Sequence, residues 1–462
     1  MKTKTELMYA KASPWRLFFI VALPGMISMF AMSIYSILEG TFIGQVLGEG
    51  AFAAVNIAFP LVLINFSIAD LIGVGASVPI SIALGKEDHE TANNVFSASV
   101  VSILIASTVM GCILFFAASP LCRMMGASDA LLDTSVRYLR TFALCSPLTT
   151  IFFAMDNYLR ISGYVKTSMV INICNSFATV GFLAFFLLVL DMDVVGSAIA
   201  TSISMCLSSL VAMIPFVRGR ALLRFKKPHF SRAMFKQIAA CGSPVFLNNI
   251  AGRITSILMN ISLMTIGVRE LGEGGGVTAV AVYAVLMYAS DLCWPLLYGI
   301  SDSLSPSIGY NWGAGNYSRV KKIVKCGYIG TCIVGLVSTA ILFFLAKPLA
   351  SLFVNAADVR LYTISVHAIK IFCFAYLFRW IAITTQGFFS AIEKPVHATM
   401  MSVSVAIVFP VLLLGALWNF GLDAIWFNWV GTSILATLLA AFLLVRILRE
   451  IEKREREQKK DE

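Results

Sequence analysis

The chain has 462 residues, 58% hydrophobic and 13% charged, with a formal net charge of +10. Soluble domains carry about 25% charged residues, so this chain lacks the polar surface to coat itself in water and reads as a polytopic membrane protein. The basic excess does not point to nucleic acid, because Lys and Arg concentrate in short segments between apolar runs, as the positive-inside rule requires.

The first element, "MKTKTELMYAKASPWRLFFIVALPG", couples a basic start to an apolar run that continues past Met32. That run exceeds the core of a cleavable leader, so it reads as the first membrane span. In all, twelve apolar stretches of about 20 residues or more follow in order. They centre roughly on residues 28, 66, 104, 146, 178, 205, 250, 292, 335, 375, 408 and 434. Four are free of charge: Leu17 to Leu38, Thr167 to Leu190, Val194 to Val217 and Ala424 to Val445.

With the amino terminus inside, the inner segments hold 26 of the 35 Lys and Arg, and the outer loops hold only Arg123, Arg269, Lys347 and Arg360. Both termini are expected to be cytoplasmic, in a multi-pass protein of an inner or plasma membrane. The richest inner loop, "VRGRALLRFKKPHFSRAMFKQ", interleaves its cations with Phe225, Phe230 and Phe235. It reads either as a solvated linker or as an interfacial segment held on anionic lipid. The tail "REIEKREREQKKDE" reads as a charged helical extension. Expected boundaries are an N-lobe over 1–217, a basic linker over 218–236, a C-lobe over 237–446 and a tail over 447–462. The ten Cys fall mostly within apolar runs and form no CxxC pair, so they read as core residues and not as a disulfide or zinc framework.

The sequence repeats internally. At an offset of 228, Gly85 falls on Gly313, Ser119 on Lys347 and Lys166 on Lys394, each in a loop between matching spans. The tetrapeptide Leu47-Gly48-Glu49-Gly50 recurs at Leu271-Gly272-Glu273-Gly274, and Pro24 matches Pro244. Each half holds six spans, an even number, so the halves enter the membrane in the same sense as parallel repeats. The expected fold is all-α, with twelve transmembrane helices in two parallel six-helix repeats forming N- and C-lobes around a central cleft. Rocking of such lobes gives alternating access. No GxxxxGK[ST] loop is present, so an ion gradient and not ATP is the expected driver.

The stretches "SIYSILEGTFIGQVLGEGAFAAVNIAFPL", "GVGASVPISIALGKED" and "SPSIGYNWGAGNYSRVKK" resemble the multidrug and toxic compound extrusion (MATE) family, in its bacterial DinF/MepA-like branch. The resemblance implies a secondary active multidrug efflux antiporter exporting amphipathic, often cationic, small molecules in exchange for H⁺ or Na⁺. It implies no cofactor beyond that ion, with organic cations, drugs and membrane lipids as partners, no nucleic acid, and a monomer. The family's acidic residue before "TFxxG" corresponds to Glu39 of "LEGTFIG". The Asn and Asp that some members place on the fifth span correspond to Thr179 and Leu183, which removes a second carboxylate. The sixth-span Thr is kept as Thr201. This departure favours H⁺ over Na⁺, and any metal would be limited to Na⁺ at Glu39.

Ionisable groups at membrane depth are functional candidates by default. The acids are Glu39, Asp70, Asp156, Asp291 and Asp302; the bases are Arg253, Lys370 and Arg379, with Arg137 and Arg140 nearer the outer end of the fourth span. Glu39 and Asp70 have no base at comparable depth in their own half, which suits a proton carrier or cation ligand. Asp156 precedes Arg160 by four residues, a spacing that pairs them on one helix face. Asp291 and Asp302 are either functional or paired with Arg253 and Arg379. Ion coupling is expected at Glu39, Asp70, Asp156 and Thr201. Tyr35, Asn157, Asn172, Asn175, Asp291 and Met287 are candidates for the substrate cavity. Met29, Met32, Met155, Met259 and Met264, with Phe30, Phe153 and Phe182, suit an adaptable cleft lining. The rival readings are a lipid-linked precursor flippase, a membrane-embedded enzyme or receptor, and a channel. The four His are scattered and no catalytic constellation is present.

Overall fold

The computed structural model describes residues 4–354 and 358–461; Glu462 at the end of the tail and the first three residues of the N-lobe lie outside the described residues. The regular elements among the described residues are all helices, with no strand. Twelve helices are long and apolar enough to cross a membrane. In order they are Pro14–Gly48, Gly50–Gly85, His89–Phe116, Asp129–Ile161, Val165–Val189, Val194–Val217, Arg232–Leu271, Gly275–Gly313, Tyr317–Phe344, Val359–Ala391, Pro395–Leu417 and Leu422–Glu457. They are called the first to twelfth spans below. A short helix, Lys4–Lys11, precedes them.

The repeat is visible in the backbone. The first two spans run on from each other, broken only at Gly48, whose φ of 84° is open to Gly and costly for other residues. The corresponding break after the seventh span is at Gly272, with φ 78°. The third and ninth spans each contain 28 residues and start 228 apart, at His89 and Tyr317. Before them stand Glu87 and Gly315, both with positive φ and again 228 apart. Later in each half the register slips. The fifth and eleventh spans start at Val165 and Pro395, so the structural counterpart of Lys394 is Tyr164, and the Lys166–Lys394 pairing is corrected by two residues.

The basic linker is docked on the third span. Phe225 packs on Phe96 with centroids 4.8 Å apart, and Phe230 stacks on Phe235. The backbone amides of Arg224, Lys226 and His229 donate to Asn93, Ser97 and Asn94 on the third span at 2.7, 2.9 and 2.7 Å. The seventh-span helix begins at Arg232, so the last residues of the expected linker are helical.

The halves meet backbone to backbone on the side that carries both termini, which is called the inner side below as a label only. Gly25 and Gly299 face each other, Gly242 abuts Leu71, Gly85 abuts Tyr310, and Gly313 abuts Ile82. Small residues permit this approach where lipid supplies no hydrophobic drive for helix association. The short helix Lys4–Lys11 crosses the same seam. The Tyr9 hydroxyl donates to the Arg160 carbonyl at 2.6 Å, while the Tyr9 carbonyl accepts from Asn311 at 3.1 Å and Arg319 at 3.0 Å. Among the described residues, the hydrogen bond between the halves farthest from the inner end is Asn249 to Ser67, at 3.3 Å and about mid-depth. Among the described residues, the hydrogen bonds that join the halves therefore lie between the middle of the spans and the end that carries both termini.

A Cβ at Gly299 would lie 2.6 Å from Met26 Cα. Overpacking of this kind costs about 1–3 kcal/mol, or roughly 5- to 150-fold in population. Gly299→Leu is therefore expected to speed maleimide labelling of Cys241, buried at the same seam, by at least fivefold in a chain whose other Cys are replaced. Unchanged labelling would show that the glycine contact does not hold the seam.

Candidate functional site

The first span carries Tyr35 and Glu39 one helical turn apart, which places both on one face. The sixth span brings Thr201 to that face, and its Oγ1 donates to Glu39 Oε1 at 2.6 Å. Tyr138 of the fourth span, buried, lies within electrostatic reach of both Glu39 and Tyr35. The result is one carboxylate bonded to a threonine hydroxyl, with two tyrosines in electrostatic reach. Tyr138 was missed in the sequence because an aromatic residue in an apolar helix carries no distinguishing signal. The fifth span adds no second acid: Thr179 donates to its own helix at the Asn175 carbonyl, 2.8 Å away, and Leu183 sits in an apolar cluster with Leu187 and Ala200. Among the described residues no group of three or more His, Cys, Asp or Glu side chains is placed to hold a metal ion.

Asp156 belongs to a separate cluster nearer the inner end. Its Oδ2 pairs with Arg160 at 2.6 Å, and its Oδ1 accepts from Ser168 at 2.5 Å and Asn172 at 2.8 Å. Arg160, fully buried, also donates across the seam to Ser303 at 3.0 Å. The cluster thus joins the two halves. Asp302, beside Ser303, lies within electrostatic reach of Arg160, and Asp70 lies within reach of Asp302. Of the two readings of Asp302, the ion pair with Arg253 or Arg379 does not form among the described residues, and the cationic neighbour comes from the other half. Sequence reading could not see this contact, because Arg160 and Ser303 are 143 positions apart.

The remaining candidates separate. Asn157 donates to its own helix at Phe153, 3.2 Å away. Asn175 accepts from Ser204 and Ser208 at 3.0 and 3.1 Å, which ties the fifth span to the sixth. Met155 and Met259 are core residues and do not line a cleft. Met287 and Asp291 line a cavity of about 230 Å³ in the C-half together with Trp294, Tyr376 and Arg379. The Arg379 guanidinium lies 4.2 Å from the Trp294 ring centroid. Among the described residues Asp291 forms no ion pair, although Arg253 lies within electrostatic reach.

Asp291, Asp302 and Arg253 are all exposed although they lie well inside their spans. Charges at that depth cannot face hydrocarbon and must border water. The exposed charges thus mark the wall of the central cleft, with Glu39 set in the N-half and the aromatic cavity in the C-half.

The sequence profile of the MatE family matches the chain twice, over residues 24–186 and 252–414. The two matched segments are equal in length and 228 apart, the offset of the internal repeat. The chain is similar to the "Multidrug export protein MepA" of Staphylococcus saprophyticus, 24% identical over 453 residues and 97% of each chain. It is similar also to that of Staphylococcus aureus, 25% identical over 453 residues and 96% of each. In fold it resembles the "Outward-facing conformation of a multidrug resistance MATE family transporter of the MOP superfamily", with TM-score 0.91 and 21% identity over 99% of this chain and 100% of that one. A MATE structure in complex with MaL6 matches with TM-score 0.90 and 22% identity, over 98% and 100%. With the repeat, the twelve spans and the cleft accounted for by one profile matched twice, the chain belongs to the MATE family of membrane transporters.

Proposed function

We propose that this transporter is an H⁺-coupled multidrug efflux antiporter that exports amphipathic cationic molecules across a cell membrane as a monomer, with both termini cytoplasmic. The observation that carries this reading is the hydrogen bond from Thr201 to Glu39, which holds a carboxylate that forms no ion pair among the described residues. A carboxylate in that setting exchanges one proton readily. The fifth span adds no second carboxylate, because Leu183 sits in an apolar cluster, and a single acid suits one proton. The names of the MepA relatives support drug export.

In this reading the outward-facing form presents Glu39 to protons from outside. Protonation removes a negative charge from the cleft, weakens the hold on a cationic cargo and lets it leave. After the halves rock, the proton is released inside and the restored carboxylate helps draw in the next cation. Asp70 and Asp302 would serve the inner end of the same path, while the aromatic cavity around Asp291 and Trp294 offers a face on which a flat cation can rest. The paired and hydrogen-bonded Asp156 then acts through Arg160 on the inner seam and not as an ion carrier.

Glu39→Gln is expected to lower dye efflux from cells at least tenfold while leaving the protein in the membrane at normal amounts. In proteoliposomes, an imposed ΔpH in Na⁺-free buffer should drive organic-cation transport, and ΔNa⁺ alone should not. Full coupled activity in Glu39→Gln, or transport driven only by Na⁺, would sink the proposal. A hydrogen bond to a charged group is worth about 1.5 kcal/mol at the low end, so Thr201→Val should slow transport by roughly tenfold. Thr201→Ser, which keeps the hydroxyl, should stay within about twofold of the parent rate.

A further inference from the structure

A crevice of about 830 Å³ at the inner face has no part in the transport path described above. Three separate stretches of chain line it. The first runs from Thr5 in the short helix to Ile20 in the first span. The second is the corner Ser162–Tyr164 between the fourth and fifth spans, and the third is the linker from Gly219 to Arg224.

Four of the lining residues are cations, Lys11, Arg16, Arg220 and Arg224, and none is a carboxylate. All four are exposed. Among the described residues none of them takes part in an ion pair. Like charges gathered on one cavity repel one another, and nothing in its walls offsets them. The counter-charge that favours this arrangement has to come from outside the protein.

The neighbouring crevice serves as a contrast. It is lined by Lys226, Lys227 and His229, but also by Asp88 and Glu90, so it holds its own counter-charge. The Asp88 carboxyl there is held below its usual range by hydrogen bonds from Thr91.

Two further observations narrow the ligand. Leu7, Met8, Ile20 and Leu222 share the crevice with the cations, an apolar lining that a soluble phosphate would leave unused. Arg16 also lies where the chain enters the first span, and Trp15 and Phe19 beside it are exposed. Exposed aromatic residues at a span's end mark the membrane interface. The crevice is therefore at headgroup level and within reach of lipid.

We propose that this crevice binds an anionic phospholipid, with its phosphate among Lys11, Arg16, Arg220 and Arg224 and its acyl chains toward Leu7, Ile20 and Leu222. Charge-assisted contacts from guanidinium groups are well suited to phosphate. The bound lipid would tie the short helix Lys4–Lys11 to the docked linker. Because that helix also bonds Asn311 and Arg319 of the other half, the lipid would steady the seam in its closed form.

The test is native mass spectrometry of the full-length protein, with phosphatidylglycerol or phosphatidylcholine added at equal concentration. The parent chain should retain phosphatidylglycerol at least tenfold better. The triple variant Arg16→Gln, Arg220→Gln, Arg224→Gln should lose that preference, and the control Lys226→Gln, Lys227→Gln should keep it. Leu222→Asp, a single change that puts a counter-charge into the crevice, should reproduce the loss should the triple variant fold poorly. Equal retention of both lipids by the parent chain would overturn the proposal. So would an equal loss in the control, or displacement of the lipid by millimolar pyrophosphate, which would mark a site for free phosphate.

Discussion

Ionised groups at membrane depth must be paired, hydrogen-bonded or wetted, and the architecture of this transporter follows from how each of its charges meets that demand. Arg160 is buried and answers it with Asp156 on its own helix and Ser303 on the other half. Glu39 answers it with the Thr201 hydroxyl. Asp291, Asp302 and Arg253 answer it by bordering water, which requires the two halves to part around them. The cleft is thus a condition for carrying these residues at all.

The halves share a backbone plan and differ in chemistry. Both break at a glycine after their first span, and both turn into a third span of equal length. Yet the N-half bonds Glu39 to Thr201, while the C-half surrounds Asp291 with Trp294, Tyr376 and a stacked arginine. A duplicated scaffold thus carries two unlike groups of side chains, an acid bonded to a hydroxyl in one half and an acid beside aromatic rings and an arginine in the other.

What could be read in the sequence was what is local. Span positions follow from runs of apolar residues, and the repeat from glycines such as Gly85 and Gly313 that recur at a fixed distance. The pairing of Asp156 with Arg160 follows from helical spacing alone. Glu39 and Thr201 could be associated only through the family resemblance, because their spans are separated by four others. The contacts of Arg160 with Ser303 and of Asp302 with Arg160 were beyond reach, since they cross between the halves and no spacing rule links residues on different helices. The linker's Phe225 was ambiguous for a related reason. A phenyl ring beside cations suits a bilayer surface and a protein surface equally, and only the presence of Phe96 opposite it decides which one it meets.

The glycine contacts of the inner seam bear on how fast the halves can separate. Where Gly25 meets Gly299 and Gly313 meets Ile82, backbone lies on backbone with little side chain interposed. Interlocked side chains would have to leave their rotamer wells before two helices could part. A smooth contact loses only its dispersion attraction, which falls away gradually with distance. At these glycine contacts the halves can therefore sit tight at rest and still part without unthreading side chains. The cost of opening falls on the side chains that cross the seam, Arg160 to Ser303 and Asn311 and Arg319 to Tyr9.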